Sequence, residues 1–112
     1  MRVVHAPADG SGTHTLATDV DVAEGLWATF RGLRFRRSLP VEYALVFPFD
    51  HAGWRDIDML FVRTPLDVLW IENDRVRQVK TLRPWIGFGL ATADCVVELP
   101  PGAADDVEPG DR

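Results

Sequence analysis

The apolar side chains of this chain concentrate in four segments separated by polar, turn-forming stretches: residues 20–30, 43–49, 57–71 and 95–99. A chain of 112 residues is long enough to bury one hydrophobic core and too short for two. Its single cysteine, Cys95, excludes an internal disulfide, so the burial of these segments has to hold the fold together. With 46% hydrophobic and 26% charged residues, the composition is that of a folded domain. We therefore predict a single domain over residues 1–112.

Residues 19–31 carry the helical pattern of the chain. One apolar stripe is formed by residues at helical spacing, namely Val22, Leu26, Trp27 and Phe30. Asp21 and Glu24 stand three residues apart, as in a capping box. Gly32 suits the left-handed residue that ends a helix. These features predict one principal amphipathic helix.

The rest of the chain shows strand patterns. Strands are predicted at residues 43–49, 57–63, 66–71, 75–82 and 94–99, with an N-terminal hairpin of residues 1–5 and 13–17. Asp50–Asp56 is predicted to be a loop, and Asn73-Asp74 suit the positive φ angles of a two-residue hairpin. The charges of residues 75–82 indicate an edge strand. The predicted fold is α+β, mostly antiparallel with the helix packed on the sheet; a small, partly open barrel is the alternative.

The net charge is −5, and the acids concentrate near the end, where residues from about 101 to 112 are predicted to form an acidic tail. Acidity opposes non-specific binding to nucleic acid, because neutralising phosphates requires a basic surface. No apolar run approaches the roughly 18 residues of a membrane span, and the N-terminus lacks a signal peptide. We expect a soluble cytoplasmic protein that binds neither nucleic acid nor membrane.

Several short motifs resemble those of one protein family, in the same order. They are Gly32-Leu33-Arg34-Phe35-Arg36 with Ser38-Leu39-Pro40, Leu45-Val46-Phe47, Pro65-Leu66-Asp67, Val97-Glu98-Leu99, Gly102 and Gly110-Asp111. This pattern is similar to that of domain-of-unknown-function family 192, also called uncharacterised protein family 0127. The resemblance implies a β-rich fold and no particular reaction. The chain departs from the family at Arg34, where methionine is usual, and at 58–62, where a more polar segment is usual.

An arginine cluster is the first candidate site: Arg31, Arg34, Arg36 and Arg37. These guanidinium groups either clamp an anion or carboxylate or form a solvated loop paired with the protein's own acids. Arg36 lies where the family signature has arginine. Asp67, at the edge of an apolar run, is either a general base or ligand contact, or is bonded to Arg63 or to backbone N–H groups of a loop.

Two further groups of residues could carry chemistry or binding. Asp50, His51, Asp56 and Asp58 contain fewer histidine and cysteine ligands than a zinc site needs, so no metal site is predicted. Trp54, Trp85 and Phe88 adjoin glycines and either stack on a partner or cover the core. Trp27 and Trp70 are predicted to be core residues, and Cys95 a buried small apolar residue.

The sequence therefore favours a non-enzymatic binding module for an acidic or carboxylate-bearing small molecule or protein. The predicted ligand-binding residues are Arg36, Arg63, Asp67 and Trp85, with no catalytic residue, cofactor or metal. The alternatives are a small hydrolase-like enzyme using Asp67 or the Asp56/Asp58 pair, and a structural subunit with a self-complementary apolar face. The oligomeric state is left open.

Overall fold

In the part of the chain that the structure describes, the fold consists of β-strands. The structure, a computed structural model, describes residues 2–23 and 40–112. Within these ranges it contains seven strands: β1 (Val3–His5), β2 (His14–Ala17), β3 (Asp19–Val22), β4 (Tyr43–Asp58), β5 (Leu66–Glu72), β6 (Arg75–Leu82) and β7 (Phe88–Leu99). β1 and β2 form an antiparallel hairpin, and the others form a sheet in the order β3-β4-β7-β5-β6. β3 is parallel to β4, whereas the other neighbours in the sheet are antiparallel.

The predicted α+β class is wrong, because the described residues are all β. Asp19–Val22, where the helix was predicted to begin, forms β3 and pairs in register with Tyr43–Val46. The physical reason is the alternation of aspartate and valine, which has the period of a strand and places Val20 against the core. Asp21 accepts a hydrogen bond from Tyr43 Oη (2.9 Å) instead of capping a helix. The rest of the predicted helix, 24–31, lies outside the described residues.

β4 is longer than predicted and continues through Pro48. It spans 16 residues, so the predicted loop at 50–56 is wrong. The predicted strand at 57–63 is confirmed only at residues 57–58, since 59–63 forms a turn. The β4–β7 register shifts between Pro48 and Gly53. Such an irregularity tolerates a residue without an N–H, so proline does not end the strand here.

The distal half of the β4–β7 ladder, residues 53–58 and 88–93, lies over one face of the sheet. Trp70 in β5 is fully buried beneath it, and its indole Nε1 donates a hydrogen bond to the Arg55 carbonyl (2.9 Å). The indole covers Gly89, where any Cβ would overlap the ring. The core on this face includes Phe47, Met59, Val62, Leu66, Val68, Trp70, Leu82 and Ala93. Trp70 is therefore confirmed as a core residue.

A second core lies on the opposite face of the sheet, so the prediction of one core is wrong, because the sheet buries apolar side chains on both of its faces. Leu69, Val97 and Leu99 contribute from the strands, and Ala104 and Val107 cover them. Residues 101–112 are thus packed against the sheet rather than extended into solvent.

The end of the chain holds the N-terminal hairpin in place through Asp111. Its Oδ1 accepts a hydrogen bond from Ala8 N (2.8 Å), and its Oδ2 accepts from Glu108 N (2.9 Å) and His5 Nε2 (2.7 Å). The backbone hydrogen bonds from Ala8 and Glu108 lower the pKa of Asp111 to about 2. The ionised carboxylate only accepts, so His5 Nε2 is the donor in this hydrogen bond.

Backbone hydrogen bonds complete this arrangement. Ala6 and Arg112 exchange two, of 2.7 and 2.9 Å, and Val76 in β6 exchanges two with residues 110 and 111, both of 2.8 Å. The residues 108–112, which we call the C-terminal clasp, therefore join the hairpin to the edge of the sheet. Within the described residues, no helix has the length and apolar character needed to cross a membrane.

Candidate functional site

Two turns meet beyond the ends of β4 and β6 and form one surface. Met59 N donates to Gly87 O (3.1 Å), and Trp85 N donates to Val62 O (3.2 Å). Residues 59–63 and 83–88, which we call the aromatic tip, are therefore one hydrogen-bonded unit.

The first turn of the aromatic tip carries an aromatic residue in an unusual conformation. Met59 and Val62 are buried, and Val62 N donates to Met59 O (3.0 Å), which closes a β-turn. Phe61, at the third position of this turn, has φ +63°. A positive φ there defines a turn that normally uses glycine or asparagine. The buried ends of the turn thus hold Phe61 outward, in a conformation that its side chain disfavours.

The second turn repeats this feature. Ile86 N donates to Pro84 O (2.8 Å) across Trp85, whose φ is +68°. This is a γ-turn with a positive φ at its centre, which is rare and strained. Gly87 closes the loop by donating to Arg83 O (3.0 Å), and a Cβ on Gly87 would lie 2.6 Å from Arg83 N. Only glycine lets the backbone approach so closely.

The strained aromatic side chains contact each other and are accessible. The rings of Phe61 and Trp85 have centroids 5.4 Å apart and meet edge to face at 66°. Trp85 is 48% exposed, Ile86 75% and Phe88 52%. Conformations of this kind cost roughly 1–3 kcal/mol each and cluster at binding and catalytic sites. The aromatic tip therefore combines strain with a large exposed apolar surface.

The charge around the aromatic tip is basic. The segments 59–65 and 80–90 contain Arg63, Lys80 and Arg83 and no acid, and the nearest acid in the sequence, Asp58, accepts a hydrogen bond from Leu60 N (3.0 Å). All three side chains are exposed, and Lys80 Nζ donates to Phe88 O (2.9 Å), which places one ammonium beside an exposed aromatic residue. The arrangement can contact apolar groups and carboxylates together.

Of the predicted site residues, the structure brings two together and separates a third. Arg63 and Trp85 both belong to the aromatic tip. Arg36, with Arg31, Arg34 and Arg37, lies outside the described residues.

Asp67 is buried and engaged elsewhere. Its Oδ1 accepts from Thr81 Oγ1 (2.7 Å), and its Oδ2 accepts from Gly102 N (3.0 Å) and Ala104 N (2.9 Å). Asp67 is therefore bonded to backbone N–H groups of a loop, as one of its two interpretations predicted. These bonds hold the segment that covers the second core. Both carboxylate oxygens are used, which favours a structural role over proton transfer.

The carboxylates near Trp54 lie on an exposed strand face rather than in a loop. Trp54, Asp56 and Asp58 alternate along β4 and stand opposite Thr92, Leu90 and Phe88, respectively. Trp54 is 71% exposed, but the two aspartates lie between it and the aromatic tip. No group of three or more His, Cys, Asp or Glu residues in the described ranges is arranged to hold a metal ion.

Two other features are explained by the fold. Burial, aided by Asp94 and Asp74, raises the pKa of the Cys95 thiol to about 11, so thiolate chemistry at neutral pH is disfavoured. A hollow of about 590 Å³ lies beside the junction of the hairpin and the C-terminal clasp and is lined in part by His5, Asp9 and Asp111. Asp9 Oδ1 accepts from Ser11 N (2.9 Å), and His5 and Asp111 bind each other, so these side chains serve local structure.

Phe61, Arg83 and Ile86 were not predicted as site residues. Phe61 was assigned to an apolar strand, and no neighbouring glycine or asparagine signals its turn. Arg83-Pro84 does carry a usable signal, because proline favours the second position of a turn and places the next residues at its apex.

Comparisons with known proteins agree with this architecture. The model of domain-of-unknown-function family 192, described as "Uncharacterized ACR", matches residues 7–112. The structure is similar to the crystal structure of a candidate transcription regulator from Sinorhizobium meliloti 1021, with 28% identity and a TM-score of 0.88, over 99% of this chain and 89% of that one. It is also similar to a protein of unknown function from Novosphingobium aromaticivorans DSM 12444, with 24% identity and a TM-score of 0.81, over 99% of this chain and 83% of that one. No protein of curated function matches the chain.

Proposed function

Because the chain belongs to domain-of-unknown-function family 192, a family described as uncharacterised, we propose its function from its own geometry: it is a non-enzymatic binding module. The aromatic tip is its binding surface, and an acidic peptide segment with apolar side chains is its partner. This proposal retains Arg63 and Trp85 and adds Phe61, Arg83 and Ile86 to the binding residues.

The observation that carries the proposal is the backbone conformation of Trp85. A tryptophan at a positive φ costs folding free energy, and here the residue is 48% exposed. Exposed aromatic side chains with little freedom to move are effective anchors in interfaces, because they lose little entropy on binding.

The charge of the aromatic tip identifies the partner's chemistry. Arg63 and Arg83 belong to the aromatic tip and are exposed, and arginine binds carboxylates through two parallel hydrogen bonds. A basic partner would be attracted instead to the acids elsewhere on this chain. An acidic, apolar segment therefore fits the aromatic tip best.

A regulatory role is compatible with this proposal. The Sinorhizobium meliloti protein is described as a candidate transcription regulator. We propose that any such role in this chain is exercised through a peptide or protein partner, because a net charge of −5 opposes contacts with DNA phosphates.

The test is selection from a phage-displayed library of random octapeptides on the wild-type protein. We expect enriched peptides that combine aspartate or glutamate with aromatic or aliphatic residues. Their affinity for the Trp85→Ala variant should fall at least about tenfold, as expected for an interface anchor. Trp54→Ala is the matched control, since it removes an exposed tryptophan outside the aromatic tip, and it should bind normally.

Two results would overturn the proposal. One is a library that yields no acidic peptide, or peptides that bind the Trp85→Ala variant as tightly as the wild type. The other is a random DNA duplex that binds at physiological salt and is released by Trp85→Ala, since this would assign the aromatic tip to nucleic acid.

A further inference from the structure

We propose that the partner binds as an added strand along the outer edge of β6, with its end on the aromatic tip; this inference rests on the proposed function. β6 is the last strand of the sheet, so one side of its backbone faces away from β5. Addition of an extended peptide to such an edge is a common mode of recognition, in which backbone hydrogen bonds supply affinity.

The register identifies which groups of β6 face outward. Asn73 and Asp74, at φ 56° and 63°, form a two-residue turn, so Glu72 and Arg75 are a hydrogen-bonded pair. Hydrogen-bonded and non-hydrogen-bonded pairs alternate along β5, so Val68–Lys80 and Leu66–Leu82 are hydrogen-bonded pairs as well. Val79 and Thr81 belong to the alternating pairs, which are not hydrogen-bonded. Their N–H and C=O groups consequently point away from β5.

The first part of this edge already accepts an added segment. Val76 N donates to Asp111 O, and Val76 O accepts from Gly110 N, both at 2.8 Å. The C-terminal clasp thus shows that the edge pairs with an incoming backbone. Farther along, the outward groups of Val79 and Thr81 make no hydrogen bond with any described residue.

The remaining edge leads directly to the aromatic tip. β6 ends at Leu82, and Arg83 and Trp85 follow it. A peptide paired with residues 79–82 reaches the tryptophan with about two more residues, at roughly 3.3 Å each. One extended segment can therefore use the backbone edge and the aromatic surface together.

The charge of β6 favours an acidic peptide over a second copy of this chain at its outer edge. Residues 75–83 contain Arg75, Arg77, Lys80 and Arg83 and no acid, although Arg77 also contacts Glu72 (3.3 Å). A second copy of this chain would present the same positive charges, and charged residues on an edge strand discourage such self-pairing. An acidic strand meets no such repulsion, so the observations favour it over a second copy.

The experiment measures hydrogen exchange of single amides by NMR, with the tightest acidic peptide from the library bound to the full chain. We expect the amides of Val79 and Thr81 to become protected, and those of Gln78 and Lys80, which already face β5, to change little. Val79→Pro removes one outward N–H and should weaken peptide binding about fivefold, the effect of losing one hydrogen bond. Val79→Ala is the matched control, because it shortens the side chain but keeps the amide.

The outcomes separate this inference from the proposed function. If Trp85→Ala abolishes binding while Val79→Pro binds like Val79→Ala and the two amides stay unprotected, strand addition is wrong and the aromatic tip remains the binding site. If the library yields no acidic peptide, both proposals fail. If the same amides become protected in a concentration-dependent dimer without peptide, the edge belongs to a second copy and the inference is overturned.

Discussion

At the scale of the residue, the positive φ angles of Phe61 and Trp85 join strain to exposure. Each side chain occupies a turn position that glycine fills at lower cost, and the two rings meet at 5.4 Å. The surrounding structure holds both conformations, because Met59 and Val62 are buried and Gly87 closes the second loop. A binding surface that is shaped before its partner arrives loses less entropy on binding.

Replacing Trp85 by glycine or by alanine tests the strain directly. Both variants lose the indole, so they differ only in the Cβ, which φ +68° disfavours. We expect the Trp85→Gly variant to be more stable than the Trp85→Ala variant by about 1 kcal/mol, from the cost of a left-handed residue that carries a Cβ. The measurement is urea unfolding of both variants. The opposite order, which is normal elsewhere in proteins, would show that Trp85 is unstrained.

The candidate site was predictable where residue type and conformation agree. Asn73 and Asp74 have positive φ angles and were predicted as a hairpin turn, because their side chains tolerate that conformation. Trp85 was predicted to lie in a loop, because glycines surround it, and it does lie in a turn. Phe61 was not, because a strained residue is by definition one that its own type does not signal.

At the scale of the element, one contact holds the distal half of the β4–β7 ladder over the sheet. The Trp70 indole lies against Gly89 and donates to the Arg55 carbonyl (2.9 Å), so it touches both strands of the ladder. Trp70 is fully buried, and the strands cannot separate around it without exposing a large apolar surface. This packing also sets the position of the aromatic tip at the end of the same ladder.

Adding one methyl group at Gly89 should therefore destabilise the protein. Gly89→Ala places a Cβ in overlap with the edge of the Trp70 indole, and overpacking of this kind costs about 1–3 kcal/mol. Gly53→Ala is the control in the same ladder, since its Cβ would meet only the Arg55 side chain at 3.7 Å. Thermal unfolding of both variants distinguishes them, and equal melting temperatures would contradict the described packing.

The elements that could be predicted from the sequence are those set by residues close to one another in the chain. β5, the turn after it and edge strand β6 were confirmed, as was the N-terminal hairpin, because each is set by neighbouring residues and turn chemistry. The prediction of a helix where β3 lies was wrong, and so was the predicted length of β4. β3 pairs in parallel with a strand more than 20 residues away, and β4 passes through Pro48 only because β7 accommodates the irregularity.

At the scale of the whole molecule, the C-terminal clasp joins parts that are far apart in the chain. Asp111 binds His5 and Ala8, while the backbone of residues 110 and 111 binds Val76. The predicted acidic tail is thus a structural element whose carboxylate is saturated with hydrogen bonds.

The clasp predicts a pH dependence of stability. The pKa of Asp111 falls from 3.8 to about 2 on folding, so its contribution is fully present above pH 4 and is lost as the pH falls through about 2. Asp111→Asn should lower the free energy of unfolding at neutral pH, and its difference from the wild type should shrink between pH 4 and pH 2. Urea unfolding across this range measures it, with exposed Asp106→Asn as the control. A difference that stays constant to pH 2 would contradict the clasp.

The clasp also imposes an order of events during protein synthesis. Residues 6–8 are translated more than 100 positions before the partners they bind. Every strand of the main sheet has been translated before residues 108–112 emerge. The contacts between the N-terminal hairpin and the clasp therefore form last, and a nascent chain paused before Glu108 keeps its β6 edge open at Val76.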